Sequence, residues 1–304
     1  MEGLVLLIIF LFLAPFFSTI IQKVKAFLVG KQGPPLFINY FTLAKLLAKG
    51  SVYSASTTFI FRLSPVISLA ASMTALLFMP FAGAAPILSF QGDVILVFYL
   101  FGLARFFTIC AALDTASPFE GMGAAREAYF AFLCEAAVFT VLVLFYRLTG
   151  SLSLTGYFTG PDVINLWRPE GALLLLVIAA MFMVLLAENS RVPVDDPATH
   201  LELTMIHEVM VLDHSGPDLA FIELGAFLKL FFYAAFIANL VLPSRPTVGF
   251  AGIASFFVAI SVIYALVGVI ESITARFKMG LVPKFILTSF ALAFFATILV
   301  LELK

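Results

Sequence analysis

The chain has 304 residues, 62% of them hydrophobic and 12% charged, with a formal net charge of -1 and a mean hydropathy of +1.13. Soluble domains are about 45–50% apolar and about 25% charged, so a soluble globular protein is excluded, and no basic face of the kind a nucleic-acid binder needs is present. Cys110 and Cys134 each stand alone in apolar sequence, without metal-ligand spacing, so neither an iron–sulfur cluster nor a structural zinc is expected in this chain.

A helix needs about 20 mostly apolar residues to cross a bilayer. Spans of that kind are predicted at 4–21, 59–81, 94–113, 125–148, 172–187, 219–242, 250–270 and 285–301. The expectation is an all-α, polytopic membrane protein with about eight transmembrane helices in a single domain covering 1–304, without repeat or linker. The first span has no basic segment before it and reads as retained, not as a signal peptide. The loop after it carries Lys23, Lys25, Lys31, Lys45 and Lys49, breaks at Gly33-Pro34-Pro35, and runs into FTLAKLLAKG, which suits a short interfacial helix. The second loop has no cation. The third, from Asp114 to Arg126, holds Ser117-Pro118, a turn start, and then Gly121 and Gly123, which permit unusual backbone or close helix approach; the blander reading is a tight connection with an N-cap for span four. The last loop carries Arg276 and Lys278, with Lys284 at its edge. Cation-rich loops alternate with cation-poor ones, which predicts an N-terminus outside and loops one, three, five and seven in the cytoplasm. The 36 phenylalanines read as lipid-facing or inter-helix packing.

Loop five, at 188–218, is the one long polar interval. It sets Glu188, Asp195, Asp196, Glu202, Glu208 and Asp213 against the single cation Arg191, and it holds every histidine of the chain. His200, His207 and His214 recur every seven residues, which invites a metal site, but the second histidine of a zinc-peptidase helix is missing. Solvated or partner-facing histidines are the expected reading, and no metal is assigned. Nor is there a G-x-S-x-G or comparable nucleophile pattern, so no catalytic residue is assigned.

Ionisable groups inside a span are costly, about +2.5 to +3.5 kcal/mol for Asp, Lys or Arg at the helix centre, and are functional candidates for that reason. Arg105 lies in span three; Arg126, Glu127 and Glu135 in span four; Glu188 at the end of span five; Glu223 and Lys229 in span six. Glu127 and Glu135 are slightly more than two helical turns apart and project from nearly one face. Such groups suit a proton relay through a file of water; the alternative is a static buried ion pair, Arg126 with Glu127 or with an acid on a neighbouring helix.

Several strings then converge. Lys31–Pro35 followed by Lys45-Leu-Leu, Phe61-Arg-Leu-Ser-Pro65, the run from Tyr99 to Phe107, Leu113-Asp-Thr-Ala-Ser-Pro-Phe119, and Glu188…Arg191-Val-Pro193-Val-Asp195…Pro197…Glu202-Leu203 followed by Asp213-His-Ser-Gly216 together resemble the eight-helix membrane subunit shared by respiratory complex I (subunit 1 or H type) and the membrane-bound nickel–iron hydrogenases. The Asp-Thr-x-Ser-Pro-Phe string is absent from complex I proper and is similar to the component C type of formate hydrogenlyase and hydrogenase-4. The resemblance implies a non-redox subunit that anchors a hydrophilic redox arm and couples electron transfer to proton translocation. It makes Asp195, Glu202 and Asp213 an acidic funnel toward Glu135, with Glu127, Glu188, Glu223 and Lys229 completing the relay. Gly33, Pro34, Asp114, Ser117, Pro118, Arg126, Arg191 and Pro193 belong to its coupling loops. Implied partners are hydrogenase-like large and small subunits carrying iron–sulfur clusters and a nickel–iron centre, and antiporter-like membrane subunits, in the plasma (inner) membrane.

The chain departs from the family in having Ala198 and His200 where acids are usual, a longer stretch between Glu202 and Asp213, and Ala226 where the sixth-helix glutamate falls, with Glu223 one turn earlier. These departures leave quinone use open. A quinone-site subunit, with quinone held near Gly33 and Arg62, and a passive anchor remain as alternatives. A stand-alone transporter is disfavoured, because no paired broken helices in repeated halves are evident.

Overall fold

The computed structural model describes residues 2–159, 163–167, 171–196, 205–243 and 249–303. Its helices are α1 (Glu2–Leu28), α2 (Ile38–Leu47), α3 (Phe59–Leu77), α4 (Asp93–Asp114), α5 (Pro118–Thr149), α6 (Leu154–Phe158), α7 (Gly171–Glu188), α8 (Gly216–Val241), α9 (Phe250–Ile273) and α10 (Val282–Leu303). Eight helices among the described residues are long and apolar enough to cross a membrane, one in each predicted span. The chain is a multi-pass membrane protein.

α8 organises the bundle and is the most buried span, at 67%. Around it, α3 packs on α4, α4 on α5, α5 on α10, and α10 on α7, which returns to α8; α1 and α9 pack on each other and on α8. At the junction of α1, α8 and α9 the phenylalanines meet as a column: Phe231 lies 5.6 Å from Phe10 and 5.8 Å from Phe17, and Phe10 lies 5.4 Å from Phe256, ring centre to ring centre. Other phenylalanines, Phe12, Phe106, Phe132 and Phe250 among them, face outward. Both expected roles of this residue type are therefore filled.

Several boundaries differ from expectation. α1 runs to Leu28, not 21, so Lys23 and Lys25 lie on helix and not in loop one. α5 begins at Pro118, not 125, so the third loop shrinks to 115–117, and Gly121, Gly123 and Arg126 lie on helix. Proline at the first helical position is already bent for a helix and lacks only an N–H that would have no partner there. α3 ends at Leu77, short of the Met79-Pro80 pair. Loop five is narrower than 188–218, since α7 runs through Glu188 and α8 begins at Gly216.

The predicted short helix of loop one is α2. It is fastened to α1 where Pro15 interrupts the backbone ladder: Asn39 Nδ2 donates to the Pro15 carbonyl at 2.9 Å and to Thr19 Oγ1 at 3.2 Å, and the Tyr40 hydroxyl donates to the Phe12 carbonyl.

Loops one, three, five and seven converge at one end of the bundle. Asp114 accepts from the Thr58 N–H at 2.6 Å and its hydroxyl at 2.9 Å, tying the end of α4, beside loop three, to the start of α3. The Val52 N–H donates to Ser215 Oγ at 3.0 Å, and Gly216, at φ +56°, lies so close to Gly50 that a Cβ would meet its carbonyl oxygen at 2.6 Å. Phe277 N–H donates to the Pro193 carbonyl at 2.9 Å, joining loop five to loop seven.

Candidate functional site

Arg105 is the centre of the polar interior. From α4 it reaches Glu127 (Nε to Oε1, 3.4 Å) and Glu135 (3.1 Å) on α5, and Glu188 at the end of α7. Glu188 is shared with Lys229 of α8, whose Nζ lies 2.9 Å from its carboxylate and donates to its backbone carbonyl at 2.6 Å. Three carboxylates thus face two cations, which leaves one negative charge in excess. Binding one proton makes the cluster neutral, so the arrangement suits a group that loads and unloads a proton. Glu188 is almost fully enclosed, with 4% of its side chain exposed, whereas Glu135 is 51% exposed, although it sits near the middle of α5. The cluster therefore runs from the interior to the bundle's outer face.

Two spaces meet at this cluster. A cavity of about 390 Å³ lies between α2, α3, α4, α8 and loop five, lined by Glu127, Glu188, Arg191, Glu208, Glu223 and Lys229 among others. On the other side, a cleft of about 30 Å³ between α4 and α5 holds Tyr99, Gly102, Phe139 and Glu135. Arg105 and Glu188 line both and form the wall between them. Gly33 and Arg62, the expected quinone neighbours, do not line the larger cavity. Gly33 lies against the end of α1 near Lys23 and Ala26, and the Arg62 guanidinium stacks over Tyr53 at 4.5 Å.

Of the predicted relay groups, Glu127, Glu135, Glu188 and Lys229 come together at Arg105, and Glu223 faces the same cavity. Asp195 and Asp213 stand apart from the cluster. Asp195 is buried and accepts from the N–H groups of Ile206 (3.1 Å) and His207 (3.0 Å), while Arg276 holds its other oxygen at 2.7 Å. Asp213 is on the surface. Glu202, His200 and Ala198 lie outside the described residues.

The coupling-loop residues are mostly fasteners. Arg126 does not pair with Glu127; it donates to the Met205 carbonyl at 3.0 Å and so holds loop five to α5. Arg191 lies 3.4 Å from Glu271, a side chain only 1% exposed that also binds Lys25 at 2.9 Å. Ser117 and Pro118 start α5, and Gly33-Pro34 leads from α1 toward α2.

Gly123 is where loop five presses hardest on α5: a Cβ there would lie 2.2 Å from Val209 Cγ1 and 2.9 Å from the Ile206 carbonyl oxygen. Gly123→Ala is expected to destabilise the subunit by about 1–3 kcal/mol, the usual cost of overpacking, read as a lower melting temperature of the detergent-solubilised complex.

Sequence reasoning left Arg105 out of the relay and missed Glu271 and Arg276 as partners. Arg105 carried a signal, as an arginine inside a span. Glu271 carried none, since it closes an apolar run and belongs to no recognised string.

The two described histidines, His207 and His214, lie in different surroundings. Among the described residues no group of three His, Cys, Asp or Glu side chains is placed to hold a metal. His207 lines the cavity, whereas His214, expected to be solvated or partner-facing, is 4% exposed and stacked flat on Phe61 at 3.9 Å. Burial pulls the His214 imidazole down to about 4, against the opposing pull of Asp218 and Asp213. The unfolded imidazole, at 6.5, takes up its proton before the folded one does. Stability from this residue is therefore full above pH 6.5 and is lost as pH falls toward 4. The expected loss is roughly 3 kcal/mol at about 1.4 kcal/mol per unit, and His214→Phe should remove that part of the pH dependence of the melting temperature.

The family profile described as NADH dehydrogenase matches residues 1–302. The chain belongs to the NADH dehydrogenase family. Formate hydrogenlyase subunit 4 of Escherichia coli (strain K12) is 27% identical over 290 residues, covering 93% of this chain and 92% of that protein. Hydrogenase-4 component C of the same organism is 28% identical over 236 residues, covering 78% and 73%. NADH-ubiquinone oxidoreductase chain 1 of Arabidopsis thaliana is 26% identical over 217 residues, covering 69% and 64%. A chain in the solved structure of the membrane-bound sulfane sulfur reductase, an archaeal respiratory membrane complex, superposes with a TM-score of 0.84 at 20% identity over 98% of both chains, a likeness of fold. The family reading made from the loop strings is borne out, and in this member Glu127, Glu135 and Glu188 meet at one arginine.

Proposed function

We propose that this chain is the non-redox membrane coupling subunit of a complex-I-like oxidoreductase of the hydrogenase kind. It seats the hydrophilic redox arm on the end where loops one, three, five and seven meet, which this reading places in the cytoplasm, and it links electron transfer to proton translocation across the plasma membrane. The observation that carries the proposal is the Arg105 cluster, three carboxylates against two cations, reaching from the cavity below loop five to the exposed Glu135. A carboxylate half exposed near the middle of a spanning helix is costly against lipid. This supports an antiporter-like membrane subunit covering the α4–α5 face and receiving protons there. Iron–sulfur clusters and a nickel–iron centre belong, in this reading, to the hydrophilic subunits.

Loop five acts as the transmitter. Its Asp195, Arg126 and Arg191 contacts tie it to loop seven, α5 and α9, so a shift of the redox arm changes the charge beside the cavity. Such a shift moves protons only to the extent that the two arrangements bind them differently. The test of identity is the composition of the complex purified through a tag on this subunit. A large subunit with four nickel-ligating cysteines is expected; a complex without hydrophilic redox subunits contradicts the proposal. A quinone-site reading draws on the 390 Å³ cavity beneath loop five, within the usual size range of small-ligand sites, about 300–1,000 Å³. A photoreactive quinone crosslinking to cavity residues would favour it.

A further inference from the structure

Residues 205–211 are held over the cavity by more fastenings than a connection requires. Asp195 takes the N–H groups of Ile206 and His207 and is itself clamped by Arg276. Arg126 holds the Met205 carbonyl from α5, and the bare Cα of Gly123 lets Val209 settle against the helix. The short turn Glu208–Val211 then closes with Met210 donating to the His207 carbonyl at 3.0 Å.

This braced segment presents His207, Glu208 and Met210 to the cavity, and the first two are its titratable groups there. Neither side chain is engaged in a hydrogen bond or ion pair among the described residues. Glu223 of α8 lines the same cavity and lies near enough to Glu208 for the two charges to act on each other. The remaining charged groups lining the space are Arg105, Glu127, Glu188, Arg191 and Lys229. Asn189 Oδ1 and Arg191 Nε, both buried without a protein partner, belong to lining residues as well. Polar atoms of that kind are satisfied by water, and 390 Å³ has room for on the order of ten molecules.

We propose that His207 and Glu208 are the proton-uptake groups of the cavity. A proton from water at the loop end is taken on an imidazole nitrogen of His207 or a carboxylate oxygen of Glu208, passes to Glu223, and crosses by water to the carboxylates around Arg105. Each donor is then reprotonated from the loop side, so no group changes state over the cycle. Asp195, Arg126 and Gly123 are the positioning residues. Neither uptake residue belongs to the strings that carry the family resemblance, which stop at Leu203 and resume at Asp213. The inference rests on the relay reading above.

The test uses the whole complex in proteoliposomes, in sodium-free buffer, driven by dithionite-reduced methyl viologen, with protons moved per electron read from a pH-sensitive dye. The double variant His207→Asn/Glu208→Gln is expected to lose about a hundredfold, the lower range of what a positioned proton-transfer group contributes. Glu208→Asp should recover part of the loss and alter the pH profile of translocation. A double variant with the wild-type ratio and profile, in a preparation where Glu135→Gln fails to translocate, overturns the uptake assignment alone. If Glu135→Gln also translocates normally, the relay reading fails with it. Should the double variant not assemble, dicyclohexylcarbodiimide on the wild-type complex decides: modification at Glu208 or Glu223 that blocks translocation supports the assignment, and labelling of neither carboxylate overturns it.

Discussion

Arg105→Leu is expected to remove this subunit from the membrane or leave it unable to assemble. The substitution keeps the volume near that of a packed side chain but leaves Glu188 with Lys229 as its one remaining cation, and Glu127 with none. Breaking a buried ion pair from one side costs about 3–5 kcal/mol, because the surviving charge stays desolvated. Glu135 adds little to that figure, since half of it is exposed. Arg105→Lys is expected to fall in between: a single ammonium cannot imitate the planar fork that meets three carboxylates at once. Glu188→Gln should be milder, as Lys229 keeps its bond to the residue 188 backbone carbonyl. Immunoblots of membranes and melting of the solubilised complex read these differences. An Arg105→Leu subunit present at the wild-type level and melting at the wild-type temperature would contradict the central place given to this arginine.

The transmembrane plan was legible because apolar run length is a local property, and each of the eight spans carried it without help from its neighbours. Caps and breaks were legible in part. Ser117-Pro118 was visible as a break, but not as the start of α5, and Gly123 read as loop because its reason for being glycine is the approach of residues 206–210, a contact made across nearly ninety positions. The acids of the relay were visible one by one, as charges misplaced in apolar sequence. Their common partner was not, because which acids a span-three arginine meets depends on the rotation of α4, α5 and α7 about their axes, and no residue spacing within one helix encodes that. Glu271 shows the same limit more sharply. Its two cations come from α1 and loop five, and only the packing of α1 on α9 brings them together.

Asp195 shows how a motif can be recognised while its physical task is not. Its place in the loop-five string implied a funnel of acids. The geometry gives it three backbone N–H donors, those of Asp196, Ile206 and His207, and an arginine; the bonds to Ile206 and His207 fix the segment bearing His207 and Glu208. The fastening and the funnel are compatible, since a rigid loop is what aims proton-carrying side chains at a cavity.

The second large effect is on transport. Glu135 joins the interior cluster to the outer face: it is the member of the cluster that both touches Arg105 and stands half exposed. Glutamine keeps its size and one hydrogen-bond acceptor while removing the site for a proton, and the exposed position means that assembly should survive. A passive anchor would be indifferent to the change. The deciding measurement is the number of protons moved per electron by the purified complex in proteoliposomes, wild type against Glu135→Gln, with subunit composition confirmed in both. Translocation lost in a fully assembled Glu135→Gln complex is the expected result; translocation at the wild-type ratio would contradict the relay.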